Sequence, residues 1–348
     1  CCQGRSEGDK WKEEPDSLGE DDPDKLVQMI MDAIPEQHRQ FADKLLKDLL
    51  EKEEAALVKA ARSDEDLLVV LTAIRGLEGR PVNKAITKGM VEVALESPFT
   101  EARISAARLL GGCTDGSAAA ALLKKCSGKT FFVAAAALAC CVEASATAPG
   151  MEAKAAAKNV KRLSKGLKSK ESVDGPAAAR AMVSVARGAG PVRTEALKDL
   201  VLERLDEPRD IAIVCAALDA VSEAPTPEDA VVLRPALAAM GLPAVIERRL
   251  ESALAGALGS MSPADARSFL VACFEGERGE PIAGALEAGP RLARVLGAGT
   301  VDAESAGPWL ERLLRSEDVP TRAAAAHAMG SLGEVGSRVA EEALGGEL

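Results

Sequence analysis

One short helical pattern recurs in this chain and restricts its fold more than any other feature. Near the C-terminus it is Val319-Pro-Thr-Arg-Ala-Ala-Ala-Ala-His-Ala-Met-Gly-Ser-Leu-Gly-Glu334. Far upstream, Phe99-Thr-Glu-Ala-Arg-Ile-Ser-Ala-Ala-Arg-Leu-Leu-Gly-Gly-Cys113 has nearly the same shape. Each holds a turn, an Arg, an Ala-rich helix with an aliphatic end, and a closing Gly. Arg322 precedes Met329 by seven residues, and Arg103 precedes Leu110 by seven. A short helix made mostly of Ala and Leu buries too little to hold itself up in water. It needs similar neighbours stacked on both sides, which is the physics of a helical repeat array.

The aliphatic position before each helix end gives the period. It falls at Leu77, Leu110, Cys141, Val185, Val221, Leu258, Leu296 and Met329, with spacings of 33, 31, 44, 36, 37, 38 and 33 residues. The spacing is irregular but centred on the span of a two-helix repeat. Composition agrees: 47% of residues are apolar, with two Trp, six Phe and no Tyr. Ala dominates the apolar set and is the strongest helix former. Runs of β-branched and aromatic residues with period two are missing. The expected fold is all-α, an α-solenoid of stacked antiparallel helix pairs over residues 63–348. It follows a flexible acidic tether over 1–23 and an N-terminal helical unit over 24–62. In that unit Leu26, Met29, Ile30 and Ala33 form one apolar face, and Phe41, Leu45, Leu46, Leu49 and Leu50 a second. Thr226-Pro-Glu-Asp229 and Ser262-Pro-Ala-Asp265 are strong helix starts, with a hydroxyl cap, Pro first and an acid third. The last pairs are expected at Pro281 to Leu296, Ala303 to Leu314, Thr321 to Leu332 and Val335 to Leu344.

The turn-Asp/Pro-Arg-Ala-Ala-x-Ala-Leu-Gly pattern of Val319 to Glu334, Phe99 to Cys113 and the less regular Glu207 to Ala220 resembles HEAT or HEAT-like repeats. The resemblance implies that Arg103, Asp318 and Arg322 stabilise stacking between repeats. It also implies a non-catalytic scaffold or adaptor that binds protein partners along an extended surface.

Two enzyme classes share such repeats. Deoxyhypusine hydroxylases hold iron through several His-Glu pairs. Here His38 is followed by Arg39 and His327 by Ala328, which rejects that identity, and both His residues suit surface or packing positions. Alkylpurine DNA glycosylases use a basic face with Trp, Asp and Arg. This chain has a net charge of −11, Trp11 lies in the tether, and Trp309 beside Pro308 is expected to begin a helix as a packing residue. The glycosylase is therefore a distant alternative. No Gly-x-Ser-x-Gly nucleophile motif occurs. Gly128-Lys-Thr130 matches the end of a phosphate-binding loop, but Leu123 stands where that loop needs Gly. No catalysis, cofactor or metal is expected.

The acidic balance also disfavours nucleic acid as a partner. Against it, Lys154, Lys158, Lys161, Lys165 and Lys168 follow a 4-3-4-3 spacing, with no acid until Glu171. That spacing puts them on one helix face. The stripe is a candidate docking site for phospholipid head groups, an acidic protein or the chain's own acidic tail; the plain alternative is a solvated outer helix. No aromatics interleave the lysines, so base stacking has no support.

Eight cysteines are present, none in Cys-x-x-Cys spacing. Cys215 and Cys273 sit in apolar runs and are expected to be small buried hydrophobes. Cys113 and Cys140 or Cys141 end successive equivalent helices and form a candidate disulfide if those helices stack in parallel. Cys1 precedes a charged segment, residues 3–24, that contains Gly and Pro and has little to bury. This stretch resembles the start of a mature bacterial lipoprotein. The resemblance implies a lipid on Cys1 and a place in the bacterial cell envelope, on the outer membrane. The alternative is a soluble intracellular HEAT-repeat adaptor. No run of about 18 apolar residues is free of charges or breakers, so no transmembrane helix is expected.

Overall fold

The computed structural model describes residues 52–112, 117–145, 153–169, 171–275, 287–301 and 303–332. The chain divides into two compact units, Cys1–Ala56 and Leu57–Leu348, and the described residues fall almost wholly in the second. Cys1, the tether over 1–23, Trp11, His38, the apolar faces between Leu26 and Leu50, Cys113, and the helix starts expected at Pro281 and Val335 lie outside the described residues.

Among the described residues every regular element is helical. The helices are α1 (52–63), α2 (Leu67–Arg75), α3 (Lys84–Glu96), α4 (Thr100–Leu110), α5 (Ser117–Lys125), α6 (Phe131–Glu143), α7 (Ala153–Leu163) and α8 (Asp174–Val185). They continue with α9 (Gly190–Leu197), α10 (Ile211–Glu223), α11 (Pro227–Leu233), α12 (Ala244–Gly259), α13 (Pro263–Glu275), α14 (Ala288–Gly297), α15 (Ala303–Leu314) and α16 (Val319–Ser331). Short polar side chains set several starts by accepting from orphan backbone N–H groups. Asp66 accepts from Leu68 N at 2.8 Å, and Asn83 from Ala85 N and Ile86 N at 2.9 and 3.0 Å. The two starts marked by a hydroxyl, Pro and acid are where the sequence puts them. Asp229 accepts from Thr226 N at 2.8 Å before α11, and Ser262 accepts from Asp265 N at 3.2 Å before α13.

The helices form two rows. In the first row α2, α4, α6, α8, α10, α12, α14 and α16 each pack on the next. The second row lies behind: α3 packs on α4 and α6, α5 on α6, α7 and α9 on α8, α11 on α12, and α15 on α14 and α16. Within that row α3 touches α5, α7 touches α9, α9 touches α11, and α13 touches α15. This is an α-solenoid of antiparallel, HEAT-like helix pairs. Seven of the eight period positions fall at the C-terminal ends of first-row helices, and Leu77 falls just past the end of α2. Each is buried, from Leu77, Leu110 and Val221 at 0% exposure to Cys141 at 3%. A side chain in the last turn meets both row neighbours there, so the same position must be apolar in every repeat.

Small residues let the first row close up. Ala102, Ala106 and Ala107 on α4, Ala134, Ala135 and Ala139 on α6, and Ala178, Ala179 and Ala181 on α8 are all buried. Gly111, just past α4, sits so near the end of α6 that a Cβ would lie 2.7 Å from the Cys141 carbonyl oxygen. Gly289 at the start of α14 lies against Thr321 at the start of α16, and Gly297 at its end lies against Ala328. Contacts at both ends fix these two helices as parallel neighbours, and the Gly111 contact puts the ends of α4 and α6 together in the same way. No helix among the described residues is long and apolar enough to cross a membrane.

Candidate functional site

Ion pairs join successive first-row helices in a repeated sense, with an acid on one helix and an Arg on the next. Glu143 on α6 accepts from Arg180 Nε and Nη2 on α8 at 2.9 and 2.6 Å and from the Ser184 hydroxyl at 2.9 Å. Asp219 on α10 accepts from Arg249 on α12 at 2.7 Å, and Glu251 on α12 from Arg294 on α14 at 2.8 Å. The Glu143 hydrogen bond holds the Arg180 guanidinium more firmly protonated than usual, against the pull of burial. Glu251 does the same for Arg294.

Two further arginines are fully buried, and neither is evident from the sequence. Arg193 on α9, 1% exposed, donates Nε and Nη2 to Asp229 at 2.7 Å each, Nη1 to Val183 O at 3.2 Å and Nη2 to Ala224 O at 2.9 Å. Arg291 on α14, also 1% exposed, donates to Glu247 at 2.9 Å and to the Leu237 and Ala239 carbonyls at 2.8 and 2.5 Å. Every charge here is answered by several partners, which a buried ion needs. Both networks tie one repeat to the next. A Gly-Pro step shortly before each Arg, and Glu287 one turn before Arg291, are the local signals; the carboxylates of Asp229 and Glu247 lie 36 and 44 residues away.

The residues assigned to stacking by resemblance act differently. Among the described residues, Asp318 caps α16 by accepting from Thr321 N at 2.8 Å and Thr321 Oγ1 at 2.5 Å. Arg322 donates to the Ser316 and Glu317 carbonyls at 2.7 and 2.8 Å, and Arg103 donates to Thr100 Oγ1 at 3.1 Å. The Asp318 and Arg322 bonds fix the turn before α16, and the Arg103 bond lies within the first turn of α4; the pairs above join one repeat to the next. Trp309 sits in the middle of α15 rather than at a helix start. It packs on Phe274 with ring centroids 4.9 Å apart, and Arg312 lies over the Phe274 ring at 5.1 Å. Cys215 and Cys273 are buried as expected. Cys140 and Cys141 stand at the end of α6, and burial, aided by Glu143, pushes the Cys140 thiol up.

The five stripe lysines are all exposed. The single helix expected to carry them ends early: α7 stops at Leu163, and Gly166–Lys168 form a 3-10 turn. Lys154, Lys158 and Lys161 share the α-helical face, while Lys165 and Lys168 continue it along the turn. The break has a tertiary cause. Gly166 is jammed against the Phe131 ring and Ala178, where no Cβ fits. Leu163 is buried below the stripe. Arg162 reaches across to the end of α5 and donates to Lys124 O at 3.1 Å, supplying a partner for a carbonyl the helix leaves unpaired.

Two clefts open beside these lysines. One of about 530 Å³ lies between the turn after α5 and the end of α7, lined by Ser127, Phe131, Arg162, Lys165, Ser169 and Asp174. At its floor Cys126 is buried, and burial pushes its thiol up to about 11 despite the nearby Arg162 cation. The other, of about 580 Å³, lies between α3 and α5 and is lined by Lys84, Thr87, Lys88, Ser117, Ala121 and Lys125. Among the described residues no group of three or more His, Cys, Asp and Glu is placed to hold a metal ion.

No protein-family model matches the chain, and no curated protein matches its sequence. Among solved structures it is similar to crystal structures of Kap121p and of a mutant of that protein. Each has a TM-score of 0.43 and 15% identity, covering 95% of this chain and 38% of that one. An engineered protein is similar at a TM-score of 0.24 and 23% identity, covering 73% of this chain and 98% of its own. This chain thus spans 38% of the length of Kap121p. The fold assignment stands on the packing of the two helix rows.

Proposed function

We propose that the chain is a non-catalytic interaction scaffold whose first-row face receives a protein partner. The observation that carries this reading is an apolar line on that face. Leu68 on α2 is 72% exposed, Ile104 on α4 40% and Phe132 on α6 42%. A helix in the row has neighbours to its sides and second-row helices behind it, so its exposed side chains look out in one common direction. Large apolar side chains repeated on consecutive helices are unfavourable in water and favour a covering partner. The test is capture of partners from native extract with the full chain and with the I104E/F132E variant. The variant is expected to lose capture while its thermal midpoint stays within a few degrees, because surface substitutions cost little stability. Undiminished capture would put the binding surface elsewhere.

The finer reading adds a lipid on Cys1, with residues 2–23 as a tether that holds the scaffold at a bacterial envelope membrane. It is supported by the charged, Gly- and Pro-containing composition of residues 3–24. A tether of about 20 residues, if it behaves as a flexible linker, lets the scaffold search a shell of several nanometres. A Cys1→Ser substitution in the unprocessed protein is expected to move the chain from the membrane fraction to the soluble one. A wild-type chain already soluble in its native cell would contradict the tether and favour the intracellular adaptor. The Lys154 to Lys168 stripe supplies a second contact, for an anionic partner.

A further inference from the structure

The basic stripe is one edge of a larger feature. On the second row α3 carries Lys84 and Lys88, α5 carries Lys124 and Lys125, and α7 carries Lys154, Lys158 and Lys161, all exposed. Helices α5 and α7 contain no acidic residue. The acids of α3 are Glu92, which pairs with Arg62, and Glu96 in the last turn. Further along the row the pattern stops: α9 has Glu195, α11 has Glu228 and Asp229, and α13 has Asp265 and Glu275. In a chain of net charge −11, these three consecutive second-row helices thus carry seven exposed lysines against two acids. Helices α3 and α5 touch, and Arg162 bridges α7 to α5, so the face is continuous.

From this we infer that α3, α5 and α7 form one binding face for an extended acidic peptide of a partner protein, running across the helices through the two clefts. The inference rests on the scaffold reading and names a partner class for it. Neighbouring packed helices lie about 8–10 Å apart. A peptide in the extended polyproline II form advances about 3.1 Å per residue and returns to the same face every third residue, so a carboxylate at every third position meets a new helix at each step. The clefts suit such a ligand. Lys84, Lys88 and Lys125 line the first, between α3 and α5, together with Glu92, which pairs with Arg62; Arg162 and Lys165 border the second, beside the end of α7, where Ser127 and Ser169 add hydroxyls. Asp174, which accepts from Ser169 at 2.6 Å, closes the second cleft on its far side. Ammonium groups on flexible stems fit carboxylates at variable positions. A bilayer surface fits less well. Proteins that lie on membranes add Trp, Phe or Leu beside their lysines, and none of the exposed large apolar side chains among the described residues lies on α3, α5 or α7.

The test uses the full chain and a dye-labelled peptide with Glu at every third position among Ser and Gly. Its comparators are an isomer with the same Glu residues contiguous, vesicles of phosphatidylcholine with phosphatidylserine, and a single-stranded DNA oligomer. The spaced peptide is expected to bind best, to weaken as salt rises, and to lose about tenfold or more in affinity in both K84E/K88E/K125E and K158E/K161E/K165E. Lys→Gln versions replace either variant if charge reversal lowers the thermal midpoint. Loss in only one variant would confine the site to one cleft and overturn the three-helix face. Equal binding of the contiguous isomer, or tighter binding of vesicles or DNA, would overturn the partner class. The I104E/F132E variant is expected to bind the peptide normally. If peptide binding fails while first-row capture persists, this inference falls and the scaffold reading stands.

Discussion

Arg193 and Asp229 show how charge is used inside this stack. A lone buried ion is costly, so the pair survives only because its oxygens and nitrogens are fully answered. Replacing Arg193 with Met leaves the Asp229 carboxylate buried at 1% exposure without its main partner. The expected loss is about 3–5 kcal/mol of unfolding free energy, read by denaturant titration. A loss like that of an ordinary surface change would mean that the network carries little stability. Cys126 gives a prediction with a pH sign. Burial raises its thiol from 9.0 to about 11 in the folded chain. The unfolded chain releases the proton first, so this group's contribution to stability is lost as pH rises from 9.0 towards about 11. Thiol alkylation of native Cys126 should stay slow near neutral pH and accelerate through that window, whereas unfolded chain reacts readily throughout. Asp229 was legible as the acid of a helix start, but the internal place of Arg193 was not, for a physical reason. An Arg is normally a surface residue, and what marks Arg193 as internal is an acid 36 residues away, one repeat distant.

At the scale of the element, much was legible. The period positions, the two Pro-containing helix starts and the all-α character follow from local chemistry, because caps and last-turn packing are properties of a few consecutive residues. The course of α7 was not. Lysine spacing alone implies one helix through Lys168, but the helix ends at Leu163 because Gly166 is held against Phe131 and Ala178 from other helices. Gly166→Ala is therefore expected to cost about 1–3 kcal/mol by overpacking, measured as a shift in the denaturation midpoint. Gly330→Ala, where a Cβ meets nothing within 4 Å, is the control and should leave that midpoint unchanged or slightly raised, since Ala is the better helix former. Equal costs at the two sites would show that the turn after α7 is not set by that packing. The resemblance to HEAT-like repeats located the Arg of α4 and of α16 correctly but not their work. Arg322 secures the turn before α16 and Arg103 bonds within the first turn of α4, while Arg180, Arg249 and Arg294 join successive helices of the first row.

For the whole molecule, the rows make stability a sum of neighbour contacts, and the proposed partners are received on their faces. Composition could announce a solenoid and could exclude familiar catalytic motifs. It could not show that Leu68, Ile104 and Phe132 are all exposed on consecutive first-row helices, or that α3, α5 and α7 bring their lysines together, because both are products of the stacking. Each face makes a separate claim about partners, and the first-row face carries the central one. The most direct test is a photo-crosslinking residue placed at Phe132 in the full chain within its native cell. The account predicts a discrete crosslinked species that disappears when Ile104→Glu is added. Absence of any crosslink from Phe132, with a discrete species formed instead from a second-row site such as Lys158, would contradict it.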